Sequence, residues 1–529
     1  MDTYNELSYD EECYSGITYD DFIANFPISC HNSSRSSSEQ LDLFGATQRD
    51  DLSISNPLSA NIHNIARKIV SLKGFLKNNR RIFWGYFLGA YNEDTLQKLT
   101  TFILDSRKKY WNLVDHYKKN NSIMAIQTLD PQIFHPLAPI ETNPWAKSQL
   151  SKELMEEIWQ DIERTYQERT LFQMESVRKS LQRILYVWSM EHSYISYKQG
   201  MNELLAIIYI VCYRDQIKYP LDHSSDCTID NFEILYSSSQ NDIEADAFTI
   251  FSSLMTMDLQ LMYDISAIKL LKSADIQTQN RFNTLLQSNM HSSEPKNPLI
   301  ARCNYIYNHL LKDNDLTLYA HLKDIDLEPH LFLIRWVRLI FSREFNVNET
   351  LNLWDAILAD HYLDVMNKNT PKTSHFQLHL IDYFSVAMLI FVRENLMEND
   401  ISYCLQRLFK YPPVEDISHL ALKAFDIKRR YEIHSVQETN DIKPPEVDDI
   451  QNDHKGDTHD ICNTSEDGTP KSVIIKILDD STVVDSMDNE SDNEDYNLGK
   501  NLKVNLKEEL INVASKVHDI YEVVLGSNW

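Results

Sequence analysis

Two short polar segments of this 529-residue chain carry side chains whose types and spacing could do chemistry. In the first, IWQDIERTY, Asp161 precedes Arg164 by three residues, which places the carboxylate and the guanidinium on one face of a helix. The amphipathic pattern ends near Arg164, so its guanidinium can project into solvent while Asp161 holds it by charge-assisted hydrogen bonds. Such a pair is also ordinary on a helix surface, and the pair alone does not predict catalysis.

The second segment, YISYKQGMNE (194–203), lies between two apolar helical patterns. It contains Gly200, the only glycine from residue 90 to residue 455, which predicts a sharp turn that presents Gln199 at a helix start. A carboxamide held rigidly at such a turn can orient a water molecule or bond a phosphate oxygen. It can equally cap the helix that follows.

The composition argues against several classes of enzyme and metalloprotein. No three of the ten glycines fit G-x-G-x-x-G or G-x-x-x-x-G-K-[ST], which disfavours a Rossmann or P-loop enzyme. The seven cysteines form no C-x-x-C pair, so neither a zinc ribbon nor a disulfide framework is indicated. His375 and His379 are four residues apart, but no Glu follows the first as in H-E-x-x-H. We therefore expect ordinary histidines and no metal site.

Apolar residues recur with helical spacing through the middle of the chain, as Leu154, Ile158 and Ile162 illustrate. We find no convincing two-residue alternation of a strand in this stretch and no fixed-length repeat of a solenoid. The sequence therefore predicts one large all-α domain over residues 59–430. Two polar stretches within it are predicted to be inserted loops, namely 214–242 and 264–300.

The acidic side chains are concentrated near the two ends of the chain, whose formal net charge is −27. Residues 1–55 carry 11 acidic and 2 basic side chains, and residues 436–500 carry 18 and 5. Such segments bury too little apolar surface to offset the entropy of ordering, so we predict disorder over 1–58 and 431–500. The acidic balance repels nucleic acid and anionic lipid, so we expect no nucleic-acid partner.

Residues 501–529 carry an apolar stripe with alternating steps of four and three residues, from Leu506 to Val524. This pattern predicts a short amphipathic helix that either folds back onto the domain or forms a coiled coil with a partner. The longest apolar run, LLAIIYIVCY (204–213), is about half of the roughly 20 residues that a membrane span needs. We therefore expect a buried core helix and no transmembrane anchor. The acidic N-terminus also lacks the apolar region of a signal peptide, which favours the cytoplasm.

Four segments resemble the signature elements of TBC domains, the GTPase-activating domains for Rab proteins. IWQDIERT is similar to I-x-x-D-x-x-R-T, YKQGMNELLA to Y-x-Q-G-M-N, and RIFWGYFLG (81–89) to the opening R-x-W-x-x-x-L-G. LIRWVRLIFSREFNVNETLNLWDAILAD (333–360) resembles the third signature. The resemblance runs from about residue 75 to 365 with order and spacing preserved. Within the family, the segments are most similar to the retromer-associated, endosomal subgroup.

The resemblance implies an all-helical, V-shaped domain that inserts two side chains into the active site of a Rab. By motif match, Arg164 is the arginine finger and Gln199 the glutamine finger. Asp161 and Thr165 would support the first finger, and Tyr197, Gly200 and Asn202 the second. We assign five further residues to structure, as buried aromatics and an ion pair between packed helices: Trp336, Arg343, Glu344, Trp354 and Asp355.

The resemblance further implies that the chain accelerates a reaction of its partner and has no independent reaction of its own. The Rab would carry Mg-GTP, and the chain would need no cofactor. The expected place is the cytoplasm, with recruitment to endosomal or Golgi membranes and retromer or another coat complex as a further partner. Gln167 stands where the family usually has proline, which could loosen the finger loop. The alternative function is a catalytically weak scaffold that binds a Rab or a coat complex.

Overall fold

The computed structural model describes residues 16–26, 57–120, 144–218, 227–263, 297–367 and 377–440. Within these ranges the chain is built from helices, and its one β pairing is an isolated parallel bridge between Ile17 and Ile217. The prediction of an all-α fold is confirmed for the described residues. None of their helices is both long enough and apolar enough to cross a membrane.

The α-helices are numbered in chain order over the described ranges. The first ten are α1 (Tyr19–Asn25), α2 (Pro57–Val70), α3 (Arg80–Phe87), α4 (Leu96–Asn120), α5 (Pro144–Glu163), α6 (Thr170–Gln173), α7 (Glu175–Glu191), α8 (Met201–Arg214), α9 (Cys227–Leu235) and α10 (Gln240–Thr256). The others are α11 (Pro298–Tyr305), α12 (Lys312–Asn314), α13 (Leu316–Asp324), α14 (His330–Arg338), α15 (Val347–Met366), α16 (Leu380–Phe391), α17 (Arg393–Met397), α18 (Ile401–Phe409) and α19 (Ile417–Asn440). A 3₁₀ turn (Leu259–Met262) follows α10, and a π-helix (Ile306–Leu311) joins α11 to α12.

Helix α8 is apolar on every face and lies inside the fold. Every residue from Met201 to Cys212 is buried, and the helix packs against α3, α5, α7 and α10. A helix that is hydrophobic all round is stable only when neighbours cover it on all sides. The expectation of a buried core helix is therefore confirmed, and the start of α8 is fixed by the core of the domain.

Buried charges connect helices that are distant in the sequence. Asp246 of α10 accepts hydrogen bonds from Arg81 Nε at 2.8 Å and from Arg107 Nε at 2.9 Å. Burial alone would raise the pKa of Asp246, but the two guanidinium groups outweigh burial and hold this pKa below its ordinary value. Asp355 of α15 similarly accepts hydrogen bonds from Arg80 Nε at 3.0 Å and from Trp84 Nε1 at 2.8 Å. The hydrogen bond of Trp84 with Asp355 thereby connects the opening signature (81–89) to the third signature (333–360).

The prediction of disorder over 1–58 is wrong for residues 16–26 and for residues 57–58, where α2 begins. Helix α1 begins there with a capping box, in which Thr18 Oγ1 accepts from Asp21 N at 3.2 Å and Asp21 Oδ2 accepts from Thr18 N at 3.1 Å. Ile17 and Phe22 are fully buried. A few large apolar side chains therefore order a segment whose overall composition is acidic, because they are buried against the domain.

The loop prediction over 214–242 is wrong for residues 227–235, which form α9, and for residues 240–242, which begin α10. The loop prediction over 264–300 is wrong for residues 298–300, which begin α11. Phe232 of α9 lies in the core, and its ring centroid is 5.3 Å from that of Phe22. The stretch is polar overall, so its short apolar face, which packs on α1, was not recognised from the sequence. The chain also stays helical beyond residue 430, to the end of α19 at Asn440. Residues 264–296, the rest of 431–500 and the predicted helix 501–529 lie outside the described residues.

Phe22→Ala tests whether α1 contributes to the fold. Removing a fully buried Phe should lower the free energy of unfolding by about 3–5 kcal/mol, because the burial is lost and a cavity remains. Urea unfolding followed by far-UV circular dichroism measures this change. Ala24→Ser on the exposed side of α1 is the control and should stay within about 0.5 kcal/mol of wild type. Equal stability of Phe22→Ala and wild type would contradict the docking of α1.

Asp215, which is buried, gives the stability a specific pH dependence. Its carboxylate accepts the backbone N–H groups of Asn79 at 3.1 Å and Arg81 at 2.8 Å, at the start of α3. Burial nevertheless raises the pKa of Asp215 from its ordinary 3.8 to about 6. The folded state then retains a proton that the unfolded state has already released, so the free energy of unfolding falls as pH rises through this interval.

We expect this fall to reach up to about 3 kcal/mol between pH 4 and pH 6.5 and to be absent from Asp215→Asn. Urea unfolding of both proteins at half-unit pH steps gives the difference between the two profiles. Asp20→Asn, at an exposed position of α1, should run parallel to wild type. Parallel profiles for Asp215→Asn and wild type would show that Asp215 does not titrate as we expect.

Candidate functional site

The segment that contains Arg164 begins where α5 ends, at Glu163. Arg164 N donates to the carbonyl of Asp161 at 3.2 Å, and Thr165 Oγ1 donates to the same carbonyl at 2.8 Å. Tyr166 then takes a left-handed backbone conformation with φ of 43°, which reverses the chain. Arg164 is exposed, and its side chain makes no hydrogen bond or ion pair with any described residue. A rigid backbone thus presents a free guanidinium.

The carboxylate of Asp161 has a different partner from the one that the sequence suggested. Asp161 Oδ2 accepts a hydrogen bond from the buried Tyr197 hydroxyl at 2.7 Å, and no described contact joins it to the Arg164 guanidinium. The helix ends before Arg164, so helical i,i+3 spacing no longer holds the two side chains together. Asp161 supports Arg164 through its backbone carbonyl instead.

The segment that contains Gln199 turns at Gly200, which has φ of +102° at the start of α8. This left-handed conformation favours glycine, and a Cβ added at Gly200 would lie 2.9 Å from Leu339 Cδ2 and displace that side chain. Gln199 is exposed, and its carboxamide makes no hydrogen bond with a described residue. The alternative role of Gln199 as a cap for α8 is therefore not the one that this structure adopts.

Asn202 joins the two segments through a single buried carboxamide. Its Nδ2 donates to Thr165 Oγ1 at 2.8 Å and to the carbonyl of Asp161 at 3.4 Å. Its Oδ1 accepts from Gly200 N at 3.0 Å and, at 3.1 Å, shares the single proton of the Tyr197 hydroxyl with Asp161 Oδ2. Both ends of the amide are thus used, one on each segment. Arg164 adjoins Thr165 and Gln199 adjoins Gly200, so both free side chains start from backbone that Asn202 ties together.

A third segment, the turn over residues 339–344, supports both of the others. The Tyr166 hydroxyl donates to the carbonyl of Ser342 at 3.3 Å, and Leu339 packs against Gly200. Ile340 and Phe341 are both left-handed, with φ of 47° and 58°. This conformation is unfavourable for residues with a Cβ and persists only where surrounding contacts enforce it. The turn belongs to the third signature, so the three signatures meet at one place.

Arg343 and Glu344 of the third signature belong to two separate ion pairs. Arg343 pairs with Glu203 in the first turn of α8, and Glu344 accepts two hydrogen bonds from Arg335, at 2.9 Å and 2.6 Å. Burial raises the pKa of Glu203, and the Arg343 guanidinium partly offsets this effect. Trp336 and Trp354 are buried. The sequence analysis missed the roles of Glu203 and Tyr166, because no local spacing links either residue to the turn.

The chemistry that this site offers is hydrogen-bond donation and positive charge. Burial, with a contribution from Asp161, raises the pKa of Tyr197 far above its ordinary value, so its phenol stays protonated and keeps donating. Among the residues that the structure describes, no three His, Cys, Asp or Glu side chains are grouped as metal ligands. The two free side chains are a guanidinium and a carboxamide, and both groups bind and orient oxygen atoms of a ligand.

Comparison with known proteins gives a family model and several relatives. The RabGAP-TBC model, described as the Rab-GTPase-TBC domain, matches residues 104–279 and 259–397. TBC1 domain family member 5 of Homo sapiens is 30% identical over 363 residues, which is 68% of this chain and 42% of that protein. TBC1 domain family member 5 homolog B of Dictyostelium discoideum is 28% identical over 446 residues, 68% of this chain and 41% of its own length. This chain thus spans less than half the length of these relatives.

Two further matches concern one yeast protein. The GTPase-activating protein GYP1 of Saccharomyces cerevisiae is 23% identical over 292 residues, 55% of this chain and 36% of that protein. The crystal structure of the Ypt/Rab-GAP domain of Gyp1p aligns with 70% of this chain and 93% of its own. It has 21% sequence identity and a TM-score of 0.48.

Tyr197→Phe tests the hydrogen-bonded junction between the two segments. Loss of the hydroxyl removes the single proton that Asp161 Oδ2 and Asn202 Oδ1 share, which should lower the free energy of unfolding by about 1–3 kcal/mol. Tyr403→Phe, at a site where the ring is 42% exposed, is the matched control and should be near neutral. Urea unfolding of both variants measures the effect. Identical midpoints for the two variants would argue against the junction.

Proposed function

This chain belongs to the Rab-GTPase-TBC domain family, and we propose that it stimulates GTP hydrolysis by a Rab-family small GTPase. In this proposal Arg164 and Gln199 enter the nucleotide site of the partner together. The observation that carries it is the pair of exposed, uncommitted side chains on two backbone segments that Asn202 connects. No reaction takes place on the chain itself, because the partner holds GTP and its Mg²⁺ ion.

The chemistry of phosphoryl transfer explains why these two groups suffice. In the transition state, negative charge spreads over the oxygens of the γ-phosphoryl group, and a guanidinium placed there stabilises this state more than bound GTP. The attacking water must also be oriented in line with the bond that breaks, and a carboxamide can orient it. Arg164 would do the first and Gln199 the second.

The rigidity of the two segments is what makes the groups effective. An arginine supplied in trans accelerates hydrolysis by about 10³ to 10⁵ in comparable GTPases, which corresponds to about 4–7 kcal/mol. A side chain on a flexible loop would lose part of this stabilisation, because ordering the loop on binding costs conformational entropy. Here Thr165 and Gly200 are fixed by Asn202 before any partner arrives. Only the ends of the two side chains remain to be ordered.

Gln167, which replaces the usual proline of the family, contributes its own restraint. Its Nε2 donates to the carbonyl of Glu163 at 2.6 Å, and its carbonyl accepts from Gln173 Nε2 at 2.9 Å. These contacts close the turn after α5 without a proline ring. They favour an active GTPase activator over the alternative of a scaffold that binds a Rab or a coat complex without catalysis.

The pathway is the less specific part of the proposal. The signature segments resemble the retromer-associated, endosomal subgroup, which supports action in endosomal or Golgi traffic. Recruitment from the cytoplasm to such membranes would then depend on a protein partner, with retromer or another coat complex as the candidate. An acidic chain is repelled by anionic lipid, which agrees with indirect recruitment.

Arg164→Lys and Gln199→Ala test the proposal in single-turnover hydrolysis by a panel of GTP-loaded Rab proteins. Lysine keeps the charge but lacks the planar fork, so the stimulated rate should fall by about 10² or more, and the alanine variant should also fall steeply. Arg429→Ala is the matched control, because this side chain is 67% exposed on α19 and should leave the stimulated rate unchanged. Unfolding midpoints of both finger variants should equal that of wild type.

Two outcomes would contradict the proposed activity. One is a wild-type protein that stimulates no Rab of the panel while it binds one of them, which favours the scaffold. The other is full stimulation by Arg164→Lys, which would remove Arg164 from the reaction.

A further inference from the structure

Residues 258–263 lie against the turn that presents Gln199, although they belong to none of the signatures. They contain the 3₁₀ turn that follows α10 and end at Tyr263. A Cβ added at Gly200 would lie 3.6 Å from the Tyr263 hydroxyl oxygen and 3.7 Å from its Cε1. We propose that Tyr263 is a positioning residue for Gln199, because its ring supports the Gly200 turn from within the domain. The inference rests on the proposed function and concerns the same site.

The Tyr263 ring is itself held in one orientation. It is buried, and its hydroxyl donates to the carbonyl of Arg338 at 3.2 Å. The guanidinium carbon of the same arginine lies 4.5 Å from the ring centroid, which is a cation–π distance. Burial raises the pKa of Tyr263 above its ordinary value, so the hydroxyl stays protonated and keeps donating. A tyrosine side chain has only two rotatable bonds to the ring, so these contacts suffice to fix it.

The Arg338 guanidinium is committed to this ring. It makes no hydrogen bond or ion pair with any residue that the structure describes, and its Nε is buried. A buried donor without an acceptor is costly, and the stacking on Tyr263 is the favourable contact that offsets this cost. The next residue in the chain, Leu339, is the one that packs against Gly200. Arg338 and Leu339 thus place an aromatic ring and an aliphatic side chain together against the turn.

Residues 258–263 also contact the beginning of the loop that contains Gln199. The Tyr194 hydroxyl donates to Gln260 Oε1 at 3.3 Å. At the other end of the segment, Asp258 has a left-handed backbone with φ of 65°, and its Oδ2 accepts from Gln377 N at 3.1 Å. The segment therefore supports the loop near both of its ends and is itself tied to the chain just before α16.

The turn needs such support because glycine permits many backbone conformations. Asn202 Oδ1 holds the N–H of Gly200, while Tyr263 and Leu339 occupy the side where a side chain of residue 200 would lie. Without the ring, space would open in which the backbone of Gly200 can rotate. The carboxamide of Gln199 would then sample other orientations, and the attacking water would be aligned for a smaller fraction of the time.

A positioning residue of this kind should affect the maximal rate and leave the affinity unchanged. Tyr263 is only 7% exposed, so it offers a partner little surface to bind. Its effect must pass through Gln199, whose orientation matters in the transition state. A residue that merely stabilises the fold would not show this dependence on Gln199.

Amide hydrogen exchange of the free, full chain tests the positioning without a partner. We expect Tyr263→Leu to speed exchange in the loop about tenfold or more, because local opening becomes easier. Tyr307→Leu is the matched control, since Tyr307 is also buried and donates to a carbonyl, that of Leu327 at 3.1 Å. It should leave the loop unchanged. The amides that report opening are the hydrogen-bonded ones of Ile195, Ser196, Gly200 and Met201.

A single-turnover titration of the full chain against the Rab that responds in the panel tests the effect on the reaction. Tyr263→Leu should lower the maximal stimulated rate about tenfold, with the half-saturating concentration within about threefold of wild type. Tyr263→Phe keeps the ring and should recover most of the rate. Combined with Gln199→Ala, Tyr263→Leu should cost less than about twofold more, because no carboxamide remains to be positioned. Combined with Arg164→Lys, it should keep its full tenfold effect, which shows that low rates do not conceal a loss.

Unchanged exchange of the loop amides in Tyr263→Leu would overturn the inference, whatever the Rab panel shows. An unchanged maximal rate, or a full tenfold loss on top of Gln199→Ala, would also overturn it and leave the proposed function intact. If wild type stimulates no Rab, the proposed function fails, and the exchange measurement alone decides whether Tyr263 holds the loop. If Tyr263→Leu does not fold, Arg338→Met removes the cation over the ring, and unchanged exchange in that variant overturns the inference.

Discussion

The candidate site depends on one buried carboxamide, that of Asn202. It donates to the segment after α5 and accepts from the segment before α8, so two stretches of chain about 35 residues apart share one set of hydrogen bonds. Burial strengthens these bonds and makes any unmade bond costly, so the junction has a single favourable arrangement. The side chains of Arg164 and Gln199 remain free because their neighbours, and not they themselves, make the structural contacts.

Further contacts of the fold make this junction rigid. Helix α8 is covered on all sides, and Arg343 of the third signature is paired with Glu203 in its first turn. Ile340 and Phe341 adopt unfavourable left-handed conformations in the turn that supports both segments. Strain of this kind is retained where surrounding packing over-determines the backbone. The buried ion pair of Asp355 with Arg80 connects the third signature to α3. Contacts between residues far apart in the sequence therefore support the two exposed side chains.

The site provides donors and charge but depends on a partner for the reacting atoms. The electrostatic interactions of a guanidinium and a carboxamide are weak in water. They strengthen when a partner excludes water from the site. A protein of this kind needs both an accurate geometry at the fingers and enough surrounding surface to hold the partner. The hydrogen bonds of Asn202 meet the first requirement.

The sequence alone determined the helical class of the fold, the buried character of α8 and the identity of the two exposed residues. Apolar periodicity follows from local geometry, and the single glycine between residues 90 and 455 marks a left-handed turn that strains any residue with a Cβ. Only the tertiary structure decided which side chains form hydrogen bonds with each other. Asp161 bonds to Tyr197 and not to Arg164, because α5 ends one residue before the arginine. Ile17 and Phe22 order part of an acidic segment, because Ile17 pairs with Ile217 and Phe22 packs on Phe232 of α9. Such contacts join residues far apart in the chain, and a local sequence pattern does not determine the spatial distance between such residues.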